Sequence, residues 1–204
     1  MKSHSAHRHY LRSVWACLLL ITMLSCAACG RYKNPLPPEV LAPRGVDAFM
    51  VTPRADGVLL SWKSPEVDRR GKELKSIEGY QVQRKQIVNR GDETAEDVAF
   101  KDLGFVKDRH IEVREKLRAE ARAQGKIGRS IQAPEELTSF SYLDRTAAVG
   151  STYLYQVLPM NQGRTEGLVL EVARVVFRGA QSEAVIIDAD QAGEDSERLL
   201  EMSK

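Results

Sequence analysis

The sequence predicts an all-β protein, an antiparallel β-sandwich carrying one helical insertion. Three observations carry that expectation: seven short apolar runs closed by Gly, Pro and Asp, apolar and polar side chains alternating within them, and no crossover helix between most of them. At 204 residues the chain has room for one such domain with tails. Its 43% apolar and 28% charged content is that of a chain whose bulk folds in water.

In chain order, the first segment is a leader. "MKSHSAHRHYLRS" holds Lys2, Arg8 and Arg12 and no acid, and Val14–Leu24 is apolar apart from Thr22. That is a charged n-region followed by an h-region. A helix over the apolar run rises about 16 Å, well short of a roughly 30 Å hydrocarbon core, so export is favoured over a stable span. Without the leader's three cations, 27 of the 30 basic residues face 28 acids, a net charge of −1. Nucleic acid is therefore an unsuitable partner, since its binding needs clustered Lys and Arg.

All three cysteines, Cys17, Cys26 and Cys29, precede residue 30, so the mature chain has no pair for a structural disulfide. Small Ala27 and Ala28 stand directly before Cys29. This stretch resembles the lipobox of bacterial lipoproteins, although Cys26 stands where that family usually has Leu. The resemblance implies that Cys29 becomes the first residue and carries a diacylglyceryl group, with its amine also acylated. Cys26 is the alternative, with bulky Leu24 where a small residue is usual. Several acyl chains would hold the protein firmly on a membrane, where one alone gives marginal binding. Gly30, in place of an Asp, points under the Gram-negative sorting rule to the outer membrane, facing the periplasm.

"CGRYKNPLPPE" then leads away from the anchor. Pro35, Pro37, Pro38 and Pro43 favour extended polyproline geometry and a spacer. The same opening resembles small outer-membrane lipoproteins linked to lipopolysaccharide transport through Cys29, Gly30, Lys33, Pro35, Leu36 and Pro37. One extra residue separates Gly30 from the Lys.

The strands follow. Residues 45–53, 57–65 and 77–87 are the first three; Val58, Leu60 and Trp62 share one face of the second, and Tyr80 and Val82 one face of the third. Residues 98–108 are a candidate fourth. The pattern returns in 140–146, 151–161 and 167–179, where Tyr153, Tyr155 and Val157 alternate with Leu154, Gln156 and Leu158. Trp62, Tyr80 and Tyr153 are expected in the core between two sheets.

These runs resemble a fibronectin type III domain of the immunoglobulin-like class. The matching motifs are Leu60-Ser61-Trp62 with Pro65, Tyr80-x-Val82-x-Arg84, and a corner tyrosine, Tyr153, after Gly150-Ser151-Thr152, with Asp144 in the preceding Tyr-x-Asp. The resemblance spans about residues 42–178. It departs from the family in an enlarged middle, about residues 86–139, against about 100 residues for a whole such sandwich.

Within that middle, residues 108–125 read as a helix, with Asp108 able to cap its start and Gly125 its end. Val106, Val113, Leu117 and Ala121 form a narrow apolar stripe, Glu112 and Lys116 are spaced as a supporting pair, and Arg114, Arg118 and Arg122 form a row diluted by acids. The helix either packs on the sandwich by its stripe or docks a partner. The tail, residues 180–204, holds seven acids against Arg198 and Lys204 and is expected to be mobile, although Val185, Ile186 and Ile187 could extend a strand.

Signs of chemistry are few. His110 is the one histidine beyond the leader, and no Gly-x-Ser-x-Gly turn accompanies it. Metal-ligand spacing is lacking, and no catalytic residue, metal or cofactor is expected. Arg90-Gly91-Asp92 reads as a loop tip, and Asp68–Gly71 as a turn with no strand-to-helix transition around it. The expected organisation is a leader over 1–28, a linker over 29–43, a sandwich over 44–179 and an acidic tail over 180–204. Function is read as non-enzymatic binding or scaffolding for an unknown envelope protein. The alternatives are an accessory of lipopolysaccharide transport and a carbohydrate-active enzyme using Glu135 and Glu136.

Overall fold

The computed structural model describes Trp15 and residues 35–87, 99–179 and 181–190. The chain divides into Met1–Pro35 and Leu36–Lys204, and the second unit holds the sandwich. Among the described residues no helix is long and apolar enough to cross a membrane.

Among the described residues of this unit, eight strands and one α-helix build the body: β1 (Asp47–Arg54), β2 (Gly57–Lys63), β3 (Gly79–Ile87), β4 (Lys101–Lys107), α1 (His110–Ala123), β5 (Ser139–Asp144), β6 (Thr152–Met160), β7 (Glu171–Val176) and β8 (Glu183–Asp188). They form a three-stranded sheet, β1-β2-β5, and a five-stranded sheet, β4-β3-β6-β7-β8. Every pairing is antiparallel. This is a fibronectin type III-like, immunoglobulin-like sandwich, with β8 added at one edge and α1 inserted between β4 and β5.

The alternation legible in the sequence sets the two inner faces. Val58, Leu60 and Trp62 of β2 are buried, and so are Tyr80 and Val82 of β3, Tyr153, Tyr155 and Val157 of β6, and Ala173 and Val175 of β7. Trp62 meets Tyr80 edge-on at 5.4 Å between ring centroids and stacks with Phe140 at 6.2 Å. Such pairs contribute about 1 kcal/mol each beyond the area they bury. Gly57, opening β2, lies so close to the Asp144 carbonyl that any Cβ would collide with backbone.

Two expectations need correction. The tail, expected to be mobile, contains a strand of the kind its apolar Val185-Ile186-Ile187 allowed: Glu183–Asp188 pairs with Glu171–Val176 in continuous register, and Ala184 and Ile187 pack against the body. Residues 191–204 lie outside the described residues. The linker, in turn, is not extended throughout. Pro38–Leu41 forms a 3-10 turn, with proline at its start where the missing N–H costs nothing. Ala42 and Pro43 are buried against the body, where Ala42 accepts from the Arg69 N–H and Pro43 from the Leu168 N–H.

Candidate functional site

The insertion is the feature that distinguishes this sandwich, and its helix is anchored at both ends. Arg109 precedes the first helical residue without a side-chain cap, but the Asp108 carboxylate accepts the His110 backbone N–H at 2.8 Å. At the far end Gly125 takes φ +70°, its N–H reaches the Arg122 carbonyl, and the Lys126 N–H reaches that of Ala121. That reciprocal pattern is a Schellman closure, which favours glycine at the left-handed position.

The face α1 turns inward differs from the stripe read in the sequence. His110, Ile111, Arg114 and Ala121 are buried, whereas Val113 and Leu117 are half-buried. Two members of the arginine row therefore face protein, because their stems cover apolar surface while their guanidinium groups find acceptors. Arg114 donates to the Leu74 carbonyl at 2.9 Å, and Arg118 to the Ile131 carbonyl at 3.1 Å and to Glu73 at 2.7 Å. Glu112 pairs with Arg109 at 3.4 Å, in place of the Lys116 expected for it.

Glu73 is the hub of this cluster. One carboxylate oxygen takes Arg118 and lies 3.5 Å from Arg114, and the other takes Lys75 at 2.9 Å. Lys75, then Arg118, hold its carboxyl down at about 2. A cleft of about 760 Å³ opens beside it, with Glu66, Glu73 and Glu115 facing Lys75, Arg118 and Arg122. Its lining acids and cations are equal in number, so the cleft carries no net charge to attract an ion of either sign.

A second cluster joins β3 to the β4–α1 corner. The Asp108 carboxylate accepts the Tyr80 hydroxyl at 2.6 Å and faces His110 Nδ1 at 2.8 and 2.9 Å. An aspartate orienting a histidine is half of a nucleophile-activating triad. Here the remaining acceptor capacity goes to a phenol that burial, then Asp108, push far up, so Tyr80 stays protonated. The sequence named Asp108, His110 and Tyr80 separately; their meeting depends on β3 pairing with β4, Tyr80 opposite Val106.

A third cluster ties the two sheets together. Asp144 accepts Arg84 at 2.7 Å, Tyr155 at 2.8 Å, and the Thr146 amide and hydroxyl at 2.8 and 2.6 Å. Burial pushes Asp144 up, but the bonds from Thr146 and Tyr155 and the charge of Arg84 outweigh it and leave the carboxyl below its ordinary value. The Tyr153 hydroxyl accepts the Ala148 N–H at 3.0 Å, closing the corner before β6, and Arg84 lies 4.5 Å above its ring.

Other residues singled out in the sequence have plainer positions. Trp62, Tyr80 and Tyr153 are buried. Glu135 and Glu136 sit on a 3-10 turn, not on a strand, and Glu135 pairs with Lys63 at 3.0 Å on the surface. Asp68 is buried at a turn that Gly71 completes, its carboxylate accepting the Arg70 and Lys72 amides. Cys26, Cys29 and Arg90–Asp92 lie outside the described residues. Among the described residues no cluster of His, Cys, Asp and Glu could hold a metal ion.

Fold likeness to solved structures is measurable but low. The third fibronectin III domain of human KIAA0343 protein matches at 10% identity and TM-score 0.34, covering 78% of this chain and 91% of that domain. The chain spans 18% of the twitchin kinase region from C. elegans, with 14% identity, TM-score 0.40 and 70% of this chain covered. A structure titled "Myokine structure" matches at 9% identity and TM-score 0.30, covering 72% of this chain and 97% of that one. No family model matches, and no curated protein does. At these values the fold class rests on strand order and register.

Proposed function

We propose that this chain is an exported, lipid-anchored envelope protein, tethered through Cys29 with Cys26 as the alternative. Its sandwich acts as a non-enzymatic protein-binding or scaffolding module on the periplasmic side of the outer membrane. The observation that carries the reading is a succession in one chain: a basic n-region, an apolar run ending in Ala27-Ala28-Cys29, a Pro-rich segment, and then a sandwich of a kind commonly used to bind proteins.

Support for binding over catalysis comes from how the buried ionisable groups are used. Asp108 is engaged by Tyr80 and His110, and Asp144 by Arg84, Tyr155 and Thr146. Each is consumed in holding two elements together: Asp108 lines a cleft with Glu78, Glu112 and Glu115, but its oxygens are taken by Tyr80 and His110, which leaves it no free part in the paired-carboxylate work of glycoside hydrolysis.

Intact mass of the chain extracted from the membranes of a Gram-negative host tests the anchor, beside Cys29→Ala and Cys26→Ala variants. The reading expects a species beginning at Cys29 with added acyl mass, lost in Cys29→Ala alone. A chain cut elsewhere without acyl mass overturns the anchor. Cross-linking in intact cells tests the binding role, with captured envelope proteins as the expected result.

A further inference from the structure

The five-stranded sheet ends on β8, and that edge differs from β4 and β1. The other edge of the three-stranded sheet, β5, is also without proline, central charge or shift, but its Tyr142 hydroxyl donates to the Leu103 carbonyl of β4. Edge strands present unpaired N–H and C=O groups, and proteins blunt them with charges, proline or bulges. The opposite edge, β4, carries Lys101, Asp102 and Lys107, with a register shift against β3. In the other sheet β1 contains Pro53 and a register shift between Asp47 and Met50. The centre of β8 is Ala184-Val185-Ile186-Ile187, with neither a charge nor a proline, and its pairing with β7 has no shift. Val185 and Ile186, on opposite faces, are 59% and 37% exposed.

The hydrogen-bond phase identifies the open groups. The Ala189 N–H donates to the Leu170 carbonyl at 2.9 Å, in line with the β7–β8 register. Residues of an antiparallel strand bond to one neighbour in alternation, so 183, 185, 187 and 189 face β7. Ala184, Ile186 and Asp188 therefore direct their amides and carbonyls away from β7, to an edge that no described strand bonds and that β1 lies beside.

A cleft of about 640 Å³ lies at the Asp188 end of this edge. Asp47, Glu171, Asp188 and Asp190 line it beside Leu170, and among the described residues no lysine or arginine does. Glu171 stands directly opposite Asp188 in the ladder, an arrangement of like charges that a nearby cation would relieve. Burial, then Glu66, push the Asp47 carboxyl up, and the charge of Arg44 pulls it only part of the way back.

We propose that β8 is a docking edge for an extended segment of a partner protein, added as a further strand, apolar at its centre and bearing a Lys or Arg that enters the Asp47–Asp188–Asp190 cleft. This gives the binding module of the preceding section its contact surface, and it rests on that reading. Main-chain bonds at Ala184, Ile186 and Asp188 supply affinity, and the cleft selects the charge at the strand's end. A second copy of this chain fits less well, because its own β8 brings Glu183 and Asp188 to an already acidic edge.

The test uses the full chain and two fluorescent peptides of alternating Val and Thr, one with Lys at both ends and one with Glu. Binding is read by anisotropy and by amide exchange. The Lys peptide binds saturably, slows exchange at Ala184, Ile186 and Asp188, and binds at least about tenfold more tightly than the Glu peptide. Ile186→Pro removes a free-edge N–H without touching the β7 ladder, and it weakens binding about tenfold while thermal unfolding is retained. Asp188→Asn weakens the Lys peptide alone, which preserves the test should the proline variant unfold. Lack of saturable binding, equal binding of both peptides, or protection away from β8 overturns the proposal. So does a concentration-dependent dimer abolished by Ile186→Pro, which would assign the edge to self-association. None of these results bears on the acyl mass or the cross-linked partners, so the failure of this edge and of the envelope reading remain distinguishable.

Discussion

Arg84 of β3 reaches from the five-stranded sheet to Asp144 at the end of β5 in the other, closing to 2.7 Å with both side chains largely withdrawn from solvent. This pair sits where the two layers meet, so its loss should be felt by the whole sandwich. Asp144→Asn leaves a mostly buried guanidinium without its counter-charge, and removing one partner of such a pair costs about 3 kcal/mol. Chemical denaturation at neutral pH should show that loss with little change in the denaturant slope.

The sign of the pH dependence follows from the same residue. Asp144 has its carboxyl lowered in the folded state, so its contribution is complete above the ordinary aspartate value and fades as pH falls through the lowered one. Wild type and Asp144→Asn should therefore converge in stability in strong acid. A difference that stays constant from neutral pH to the acid limit would show that charge is not what Asp144 supplies.

Glu73 gives a second acid-side prediction at a different place. With its carboxyl held at about 2 by Lys75 and Arg118, its contribution is present above the ordinary glutamate value and disappears as pH drops toward 2. The side chain is 42% exposed, so solvent screening limits Glu73→Gln to on the order of 1 kcal/mol at neutral pH. Amide exchange in α1 should rise in that variant, because Arg118 of α1 bonds directly to Glu73.

What the sequence discloses and what it conceals divide along a physical line. Strand β2 was legible because one face is apolar over Val58, Leu60 and Trp62 while Ser61 and Lys63 punctuate the other. The helix was legible from Asp108 and Gly125, since capping is local chemistry. Its inward face was not. Arg114 and Arg118 count as polar in any periodicity, and only the fold supplies the Leu74 and Ile131 carbonyls that admit them. Strand β8 was legible only in part: Val185, Ile186 and Ile187 suggested a strand, but the acids around that short apolar centre favoured a mobile tail. The Asp108–Tyr80 bond joins residues far apart in sequence, which no window can register.

The corner tyrosine allows a narrower test. Tyr153→Phe keeps the ring under Arg84 and removes only the acceptor for the Ala148 N–H. A single hydrogen bond of this kind contributes about 1 kcal/mol net. The variant should lose that amount on denaturation and gain amide exchange at Ala148, while exchange in β3 stays unchanged.

The Asp108 cluster separates a packing role from a polar one. Tyr80→Phe preserves the edge contact with Trp62 but takes from Asp108 its one phenolic donor, leaving the carboxylate with the amide and ring of His110. A buried carboxylate that loses a partner costs about 2 kcal/mol, whereas Tyr80→Phe with Asp108→Leu removes both polar ends together and should cost less than the sum. A double-mutant cycle on unfolding free energy measures the difference. Strict additivity would mean that the two side chains act independently. Coupling above about 1 kcal/mol would establish this bond as the tie between β3 and the inserted helix.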